Sequence, residues 1–320
     1  MSVVEQFIHW IADSYSLEGF LKTWGSVLAL CMLLHVAERV RPAERNQPYR
    51  AMMTNGTITL VYAVLIPVAL LGANTLAAYF LAALIGHLTG PLDVIDLNDL
   101  TSGHSVMVKY ALLAPLALLP LLVYDFFYYW FHRLQHMSAW LWEQHKLHHS
   151  DHALNVTTSF RINWLEEFFK TFLVTIPMGL VLGLQPFQIG IVASATGTIA
   201  HFWGLYLHSN IRLSYGPLNP VVTGPQYHRI HHSIEPRHQD RNFSTHFPIW
   251  DVLFGTYYRP VHDEYPQTGV AGEPSNPGML AVLFGPLITW GSRTVRFTRS
   301  TRADAAGKIA APVQADFKGN

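Results

Sequence analysis

Eight histidines fall in three tight clusters: His132-Arg-Leu-Gln-His136, His145-Lys-Leu-His148-His149 and His228-Arg-Ile-His231-His232. The spacings read HxxxH, HxxHH and HxxHH. A neutral imidazole is a strong ligand for iron, zinc or copper. Residues at i, i+3 and i+4 share one face of an α-helix, so each cluster projects as a unit. Three such faces turned to a common centre supply far more nitrogen than one ion needs. The pattern predicts a binuclear metal site. A lone histidine is more often a packed or surface residue, and it is the joint pattern that outweighs that bland reading.

Further candidates flank the clusters. His201 and His208 stand seven residues apart on one helical face, and His208, just before Ser209-Asn210, is the better ligand candidate. His201 serves equally well as a polar residue satisfied by a neighbour. His238 is an additional ligand candidate or supports one. Asp125 lies seven residues before His132 on the same face. Its carboxylate is a candidate to accept the second N–H of a ligating imidazole and fix the tautomer. Its alternative role is a helix-end charge at an interface. Glu143 and Glu167 are weaker candidates for the same support. His9, His35, His87, His104, His246 and His262 read as structural or surface residues.

The elements that must hold these residues are apolar. Half of the 320 residues are hydrophobic and 13% are charged, a balance suited to an integral membrane protein with a polar portion. Net charge is zero, so no bulk field draws in nucleic acid. The single cysteine, Cys31, excludes an intrachain disulfide and cysteine-based zinc or iron–sulfur sites. Met1 to Leu17 carries Glu5 and Asp13 without a basic leader, so no cleavable signal peptide is expected.

Apolar runs cover 21–38, 58–87, 106–131, 168–184 and 187–207. Pro67 is a candidate kink in the second. The third ends in Tyr124, Phe126, Phe127, Tyr128, Tyr129, Trp130 and Phe131, an interfacial belt just before His132. The last two meet at Gly183-Leu184-Gln185-Pro186 and predict a hairpin over 168–207. Arg39, Arg41, Arg45 and Arg50 follow the first run; Asp93, Asp96 and Asp99 follow the second. The positive-inside rule then delivers all three histidine clusters to the cytoplasmic face. The expected fold is all-α: an integral membrane helical bundle with a cytoplasmic histidine-rich helical cap. Its expected parts are an N-terminal transmembrane region (1–120), a catalytic domain (121–265) and a C-terminal segment (266–320). In the last, Met279 to Trp290 reads as a short interfacial run before a mobile basic tail.

The motifs resemble the fatty acid hydroxylase/sterol desaturase superfamily of membrane di-iron oxygenases. The likeness rests on Asp125-Phe-Phe-Tyr-Tyr-Trp-Phe-His132-Arg, His208-Ser-Asn210 and Tyr227-His-Arg-Ile-His-His232-Ser. It extends to Asp240-Arg-Asn242-Phe243 and to Trp250-Asp251-Val-Leu-Phe254-Gly255-Thr256-Tyr257, and covers roughly residues 120–260. It implies that His132, His136, His145, His148, His149, His208, His228, His231 and His232 ligate two iron ions, with zinc able to substitute. It implies O₂ as co-substrate and a membrane lipid as substrate. No fused cytochrome b5-like or flavin domain is visible, so electrons are expected from a separate redox partner of cytochrome b5 or ferredoxin type. The expected location is a bacterial inner membrane, with the active site on the cytoplasmic face. A membrane metal transporter or metal-binding protein is the competing class. It needs ligands near the bilayer midplane, whereas these histidines gather at the ends of apolar runs. Hydroxylation, desaturation and ether-bond oxidation share one metal core, and the spacing does not divide them.

Overall fold

A computed structural model describes residues 17–87, 105–183 and 186–310. The described chain is all-helical, with two isolated β-bridges, Pro42 to Ile211 and Ser233 to Thr268, and no strand. Helix α1 spans Leu17–Val40 and α2 spans Tyr49–His87, continuous through Pro67. Helix α3 (Val106–Met137) runs without a break into its histidine pair. Ser138 then caps α4 (Ala139–His149) by accepting the Leu141 N–H, so the chain turns sharply between the first two clusters. A short 3-10 segment, Val156–Phe160, leads to α5 (Trp164–Lys170), whose cap is Asn163.

A π-turn over Thr171–Thr175 joins α5 to α6 (Ile176–Val181). Gly183 then takes φ +65°, the left-handed region that favours glycine, and α7 spans Pro186–His208. Two short helices come next, α8 (Pro225–His231) and α9 (Ile249–Leu253), and then α10 (Met279–Ala310). Helix α10 continues to Ala310, and Arg293 ties it to α4 through the Ala139 carbonyl and the Glu143 carboxylate.

Three apolar clusters fasten the bundle. Val27 and Leu34 of α1 meet Val156 and Leu205; Ile58 and Tyr62 of α2 meet Leu147 and Val282; Tyr124 and Phe131 of α3 meet Val174 and Met178. Burial of each large side chain contributes about 1.5–3 kcal/mol. Among the described residues, no helix is long and apolar enough to cross a membrane. The acidic loop with Asp93, Asp96 and Asp99, the start of the chain with Glu5, His9 and Asp13, and His104, Leu184, Gln185 and Lys318 lie outside the described residues.

The end of α1 and the segment after it also anchor the helices that carry the later histidines. The buried Glu38 carboxylate accepts the backbone N–H groups of Val156 (2.7 Å) and Asn210 (2.8 Å). Glu44 accepts from Arg229 of α8 at 2.8 Å, and its backbone exchanges hydrogen bonds with the Asn210 side chain. Residues at the end of the first apolar run and just beyond it therefore hold the ends of α7 and α8, which carry His208 and His228.

Candidate metal centre

Nine histidines converge in two groups. His132, His136, His145, His149 and His231 form one; His148, His208, His228 and His232 form the other. Within each group the candidate ligand atoms lie within 4.8 Å of one another. The end of α3 supplies His132 and His136, while α4 and α8 each feed both groups. In each HxxHH motif the i and i+4 residues go to one group and the i+3 residue goes to the other. Helical geometry explains the split: i+4 stands about 40° from i around the axis, and i+3 about 60° the other way.

The inward atoms are Nε2. In the five-histidine group, His149 Nε2 stands 3.2 Å from His136 Nε2 and 3.1 Å from His145 Nε2. In the four-histidine group, His208 Nε2 stands 3.0 Å from His148 Nε2 and 2.9 Å from His228 Nε2, and His232 Nε2 is 3.1 Å from His228 Nε2. Two nitrogens bound to one metal at about 2.0–2.1 Å sit roughly 2.9–3.4 Å apart for bond angles between square and tetrahedral. The observed separations match that spacing.

The outward nitrogens set the tautomers. His132 Nδ1 lies 2.8 Å from the Phe243 carbonyl, His231 Nδ1 2.8 Å from the Arg241 carbonyl, and His208 Nδ1 2.6 Å from the Gly204 carbonyl. A carbonyl only accepts, so each of these Nδ1 atoms carries the proton and each Nε2 keeps its lone pair. The Nε2 atoms of His132 and His231 are buried with no hydrogen-bond partner in the protein. Unpaired buried lone pairs facing one another are unfavourable unless a cation lies between them. The residues present therefore fit metal ions at both groups.

Two carboxylates join the five-histidine group from outside. His145 Nδ1 is 3.3 Å from Glu166, and His136 Nδ1 is 3.4 Å from Asp240. The loop that offers the Arg241 and Phe243 carbonyls needs left-handed backbone at Asp240 (φ 54°) and Asn242 (φ 62°). Short polar Asp and Asn tolerate that region better than other residues with a side chain. Asp251 then locks the loop. Its carboxylate accepts the Phe243 and Ser244 N–H groups at 2.8 Å each, and also the hydroxyls of Tyr227 and Thr256.

A stretch of the chain, residues 117–256, matches the fatty acid hydroxylase family model. Over 190 residues the chain is 32% identical to an ornithine lipid hydroxylase of Rhizobium tropici, covering 59% of this chain and 53% of that protein. Over 133 residues it is 32% identical to the alkylglycerol monooxygenase of Xenopus tropicalis, covering 42% of this chain and 28% of that protein. Residues 117–256 are a fatty acid hydroxylase domain. A very-long-chain aldehyde decarbonylase of Oryza sativa is 29% identical over 157 residues, covering 45% of this chain and 23% of that protein. The match thus spans about half the length of the ornithine lipid hydroxylase, and less of the others. No solved structure matches.

Within this hydroxylase domain, Asp125 acts differently from the role expected of it. Its carboxylate accepts the backbone N–H groups of Thr245 (3.1 Å), His246 (2.9 Å) and Phe247 (2.9 Å) and contacts His246 Nδ1, not a clustered imidazole. The reason is the loop that interposes its own carbonyl: Phe243 takes the outward nitrogen of His132, and Asp125 fastens the stretch of chain just after it. Glu143 pairs with Lys146 and Arg293, and Glu167 with Lys170. It is the neighbouring Glu166 that faces His145. His238 lies outside both groups and bonds to Ser233 and Glu264. His201 also lies outside them, against Phe160. Sequence reasoning missed Glu166 and the role of Asp240. The first has only its place in the first turn of α5 to mark it; the second was marked by the Asp-Arg-Asn-Phe motif without a role.

Burial holds the clustered imidazoles neutral. Desolvation, reinforced by neighbouring imidazoles, sets His132, His145, His148, His149, His228, His231 and His232 well below the ordinary histidine range. Burial lowers His208 to about 4, and pushes the Glu166 carboxyl up to about 7. Neutral imidazole is the ligating form.

Proposed function

We propose that this protein is a membrane-bound di-iron oxygenase that hydroxylates a lipid. The observation that carries the reading is the pair of inward-facing Nε2 groups beside one cavity. That cavity, about 100 Å³, is lined by His132 from one group and by His148, His208 and His228 from the other. A substrate atom lodged there would touch both. The family and the lipid-hydroxylating relatives support the same activity.

When bound, two iron ions supply O₂ activation: a C–H bond, O₂, two electrons and two protons become C–OH and water. The chain's own residues do the rest. The Phe243, Arg241 and Gly204 carbonyls hold three rings in the ligating tautomer. Asp240 and Glu166 orient two more. Tyr124, Tyr128 and Phe243 wall the cavity and limit water beside the metals. Electrons come from a separate redox protein of cytochrome b5 or ferredoxin type.

Membrane embedding, with the site facing the cytoplasm of a bacterial inner membrane, belongs to the same proposal. It is supported by the exposed apolar side chains Leu28, Met32, Leu33, Val36 and Val40 along α1 and Leu60 on α2, surface that lipid would cover. The test is purified, iron-loaded protein supplied with O₂, a reductant and lipid. Ornithine lipid and an alkylglycerol, named for the relatives, are the first substrates to try. Mass spectrometry should find a gain of one oxygen that His148→Ala and His231→Ala abolish. Retained oxidation in both variants would reject the site.

A further inference from the structure

The five-histidine group has a short way out to the protein surface. His136 is partly exposed, whereas the other eight clustered histidines are buried. Its Nδ1 meets Asp240, whose side chain is 71% exposed. His231 Nδ1 meets the carbonyl of the next residue, Arg241. Two rings of this group are therefore one hydrogen bond from the surface segment 240–241. Neither ring lines the cavity, which takes His132, His148, His208 and His228 instead.

An aromatic route ends at the same place. The Phe243 ring centre lies 5.0 Å from that of His136, 5.5 Å from His132 and 5.6 Å from His231. Tyr129 is 6.0 Å beyond Phe243, and Phe254 stacks on Tyr129 at 5.4 Å. Phe254 is exposed and lies 4.8 Å from Trp130, which is exposed too. Electron tunnelling falls off exponentially with distance. A donor resting on Phe254 and Trp130 would have only Tyr129 and Phe243 between it and the candidate ligands.

This surface carries more positive than negative charge. Arg133 donates to the Tyr129 hydroxyl and the Phe254 carbonyl and lies over the Trp130 ring. Arg241 donates to the Gly255 carbonyl. All three acceptors are neutral. The nearby carboxylate is Asp240: its hydrogen bond is to His136, and the charges of Arg241 and Arg133 act on it from further away. Two cations thus accompany one anion. Trp130, Leu134 and Met137 recur at i, i+4 and i+7 on one face of α3, all exposed. An apolar centre with a charged rim is the composition of a protein interface, and electron-transfer encounters bury little area. Lipid laid over the same face would strip water from the Asp240 carboxylate and return no hydrogen bond.

We propose that this face is the docking surface for an acidic one-electron carrier protein. Arg133 and Arg241 meet carboxylates of the carrier, and Trp130 and Phe254 meet its apolar centre. Reduced carrier docks twice and is oxidised by one electron each time. Those two electrons, with two protons, complete the balance of C–H and O₂ given above. The inference rests on the oxygenase reading and adds where its electrons enter.

The test presents three carriers to the full-length protein in nanodiscs: a plant-type ferredoxin and cytochrome b5, both acidic, and cytochrome c, which is basic. Calorimetry reads binding to the metal-free protein. At least one acidic carrier should bind, more weakly as salt rises, and cytochrome c should not. Arg133→Glu and Arg241→Glu should each raise that Kd about tenfold. In iron-loaded protein without O₂, Arg133→Glu should slow reduction by the carrier about as much and leave reduction by dithionite unchanged. A fluorophore at Met137→Cys, in a Cys31→Ser background, should be quenched by the bound carrier; quenching by nitroxide-labelled lipid instead overturns the proposal. Binding of neither acidic carrier, or equal binding of cytochrome c, overturns it too, and these wild-type comparisons stand even if the variants do not fold. Folded variants with unchanged Kd also overturn it. Lipid oxidation driven by ascorbate and a mediator, with no carrier bound, leaves the oxygenase reading standing and removes the docking surface. No lipid oxidation with any reductant removes both.

Discussion

The rings of His149 and His232 stack 4.3 Å apart at 21°, yet they belong to different histidine groups. Each is the i+4 residue of its HxxHH motif. The stack is thus the shared wall of the two groups, joining α4 to the end of α8 at the middle of the site. His149 turns its Nε2 toward His136 and His145, and His232 turns its Nε2 toward His228.

This wall makes the two groups separable by mutation. His232→Ala removes one of the four candidate ligands of its group and leaves the five of the other group in place. Metal content should fall from about two ions per chain toward one. Elemental analysis of the purified variant measures this. An unchanged content of two, or a loss to zero, would contradict the division into five and four.

The outward partners should matter almost as much as the ligands. Asp240→Asn and Glu166→Gln alter the groups that face His136 and His145. Each should weaken metal binding at the five-histidine group about 10–100-fold and spare the other group. Metal titration of the stripped protein in the presence of a competing chelator resolves the two affinities.

Asp251 touches no histidine of either group, yet four donors end on its carboxylate. Asp251→Ala leaves the Phe243 and Ser244 N–H groups buried without partners. The expected destabilisation is about 3 kcal/mol, and the Phe243 carbonyl should lose its hold on His132. Thermal unfolding measures the first effect and metal content the second. Asp251→Asn, which keeps an acceptor, should fall between the two.

Acid should destabilise the metal-stripped protein. The clustered imidazoles have depressed pKa values in the fold, His208 at about 4, against about 6.5 in the unfolded chain. Above about pH 6.5 both states are neutral and this contribution is fully present. As pH falls from there toward about 4, the unfolded chain binds protons that the folded chain does not, so stability is lost. Each strongly shifted histidine contributes up to about 1.4 kcal/mol per pH unit. The thermal midpoint of chelator-treated protein should therefore drop steeply between pH 7 and pH 5. A flat or rising midpoint would show that the imidazoles are not buried as described.

The helical class and the nine converging histidines were legible as sequence. Apolar runs and the i, i+3, i+4 spacing are local quantities that one chain displays without its fold. The role of Asp125 was not legible: seven residues set it on the face of His132, but a loop more than a hundred residues later brings the competing carbonyl. Nor was Glu166 distinguishable from Glu167, since only the rotation of α5 against α4 decides which one meets His145.

By itself the sequence determined which histidines lie near one another on a helix and are able to hold metal, because the helix repeat is a property of the backbone. Only the tertiary structure decided how they divide. Adjacent i+3 and i+4 positions diverge by about 100° around the axis, which lets each HxxHH motif divide between the two groups where the spacing alone predicted that it would project as a unit. Which centre receives which ring depends on how α4 and α8 cross the end of α3, and that is set by packing between segments far apart in the chain.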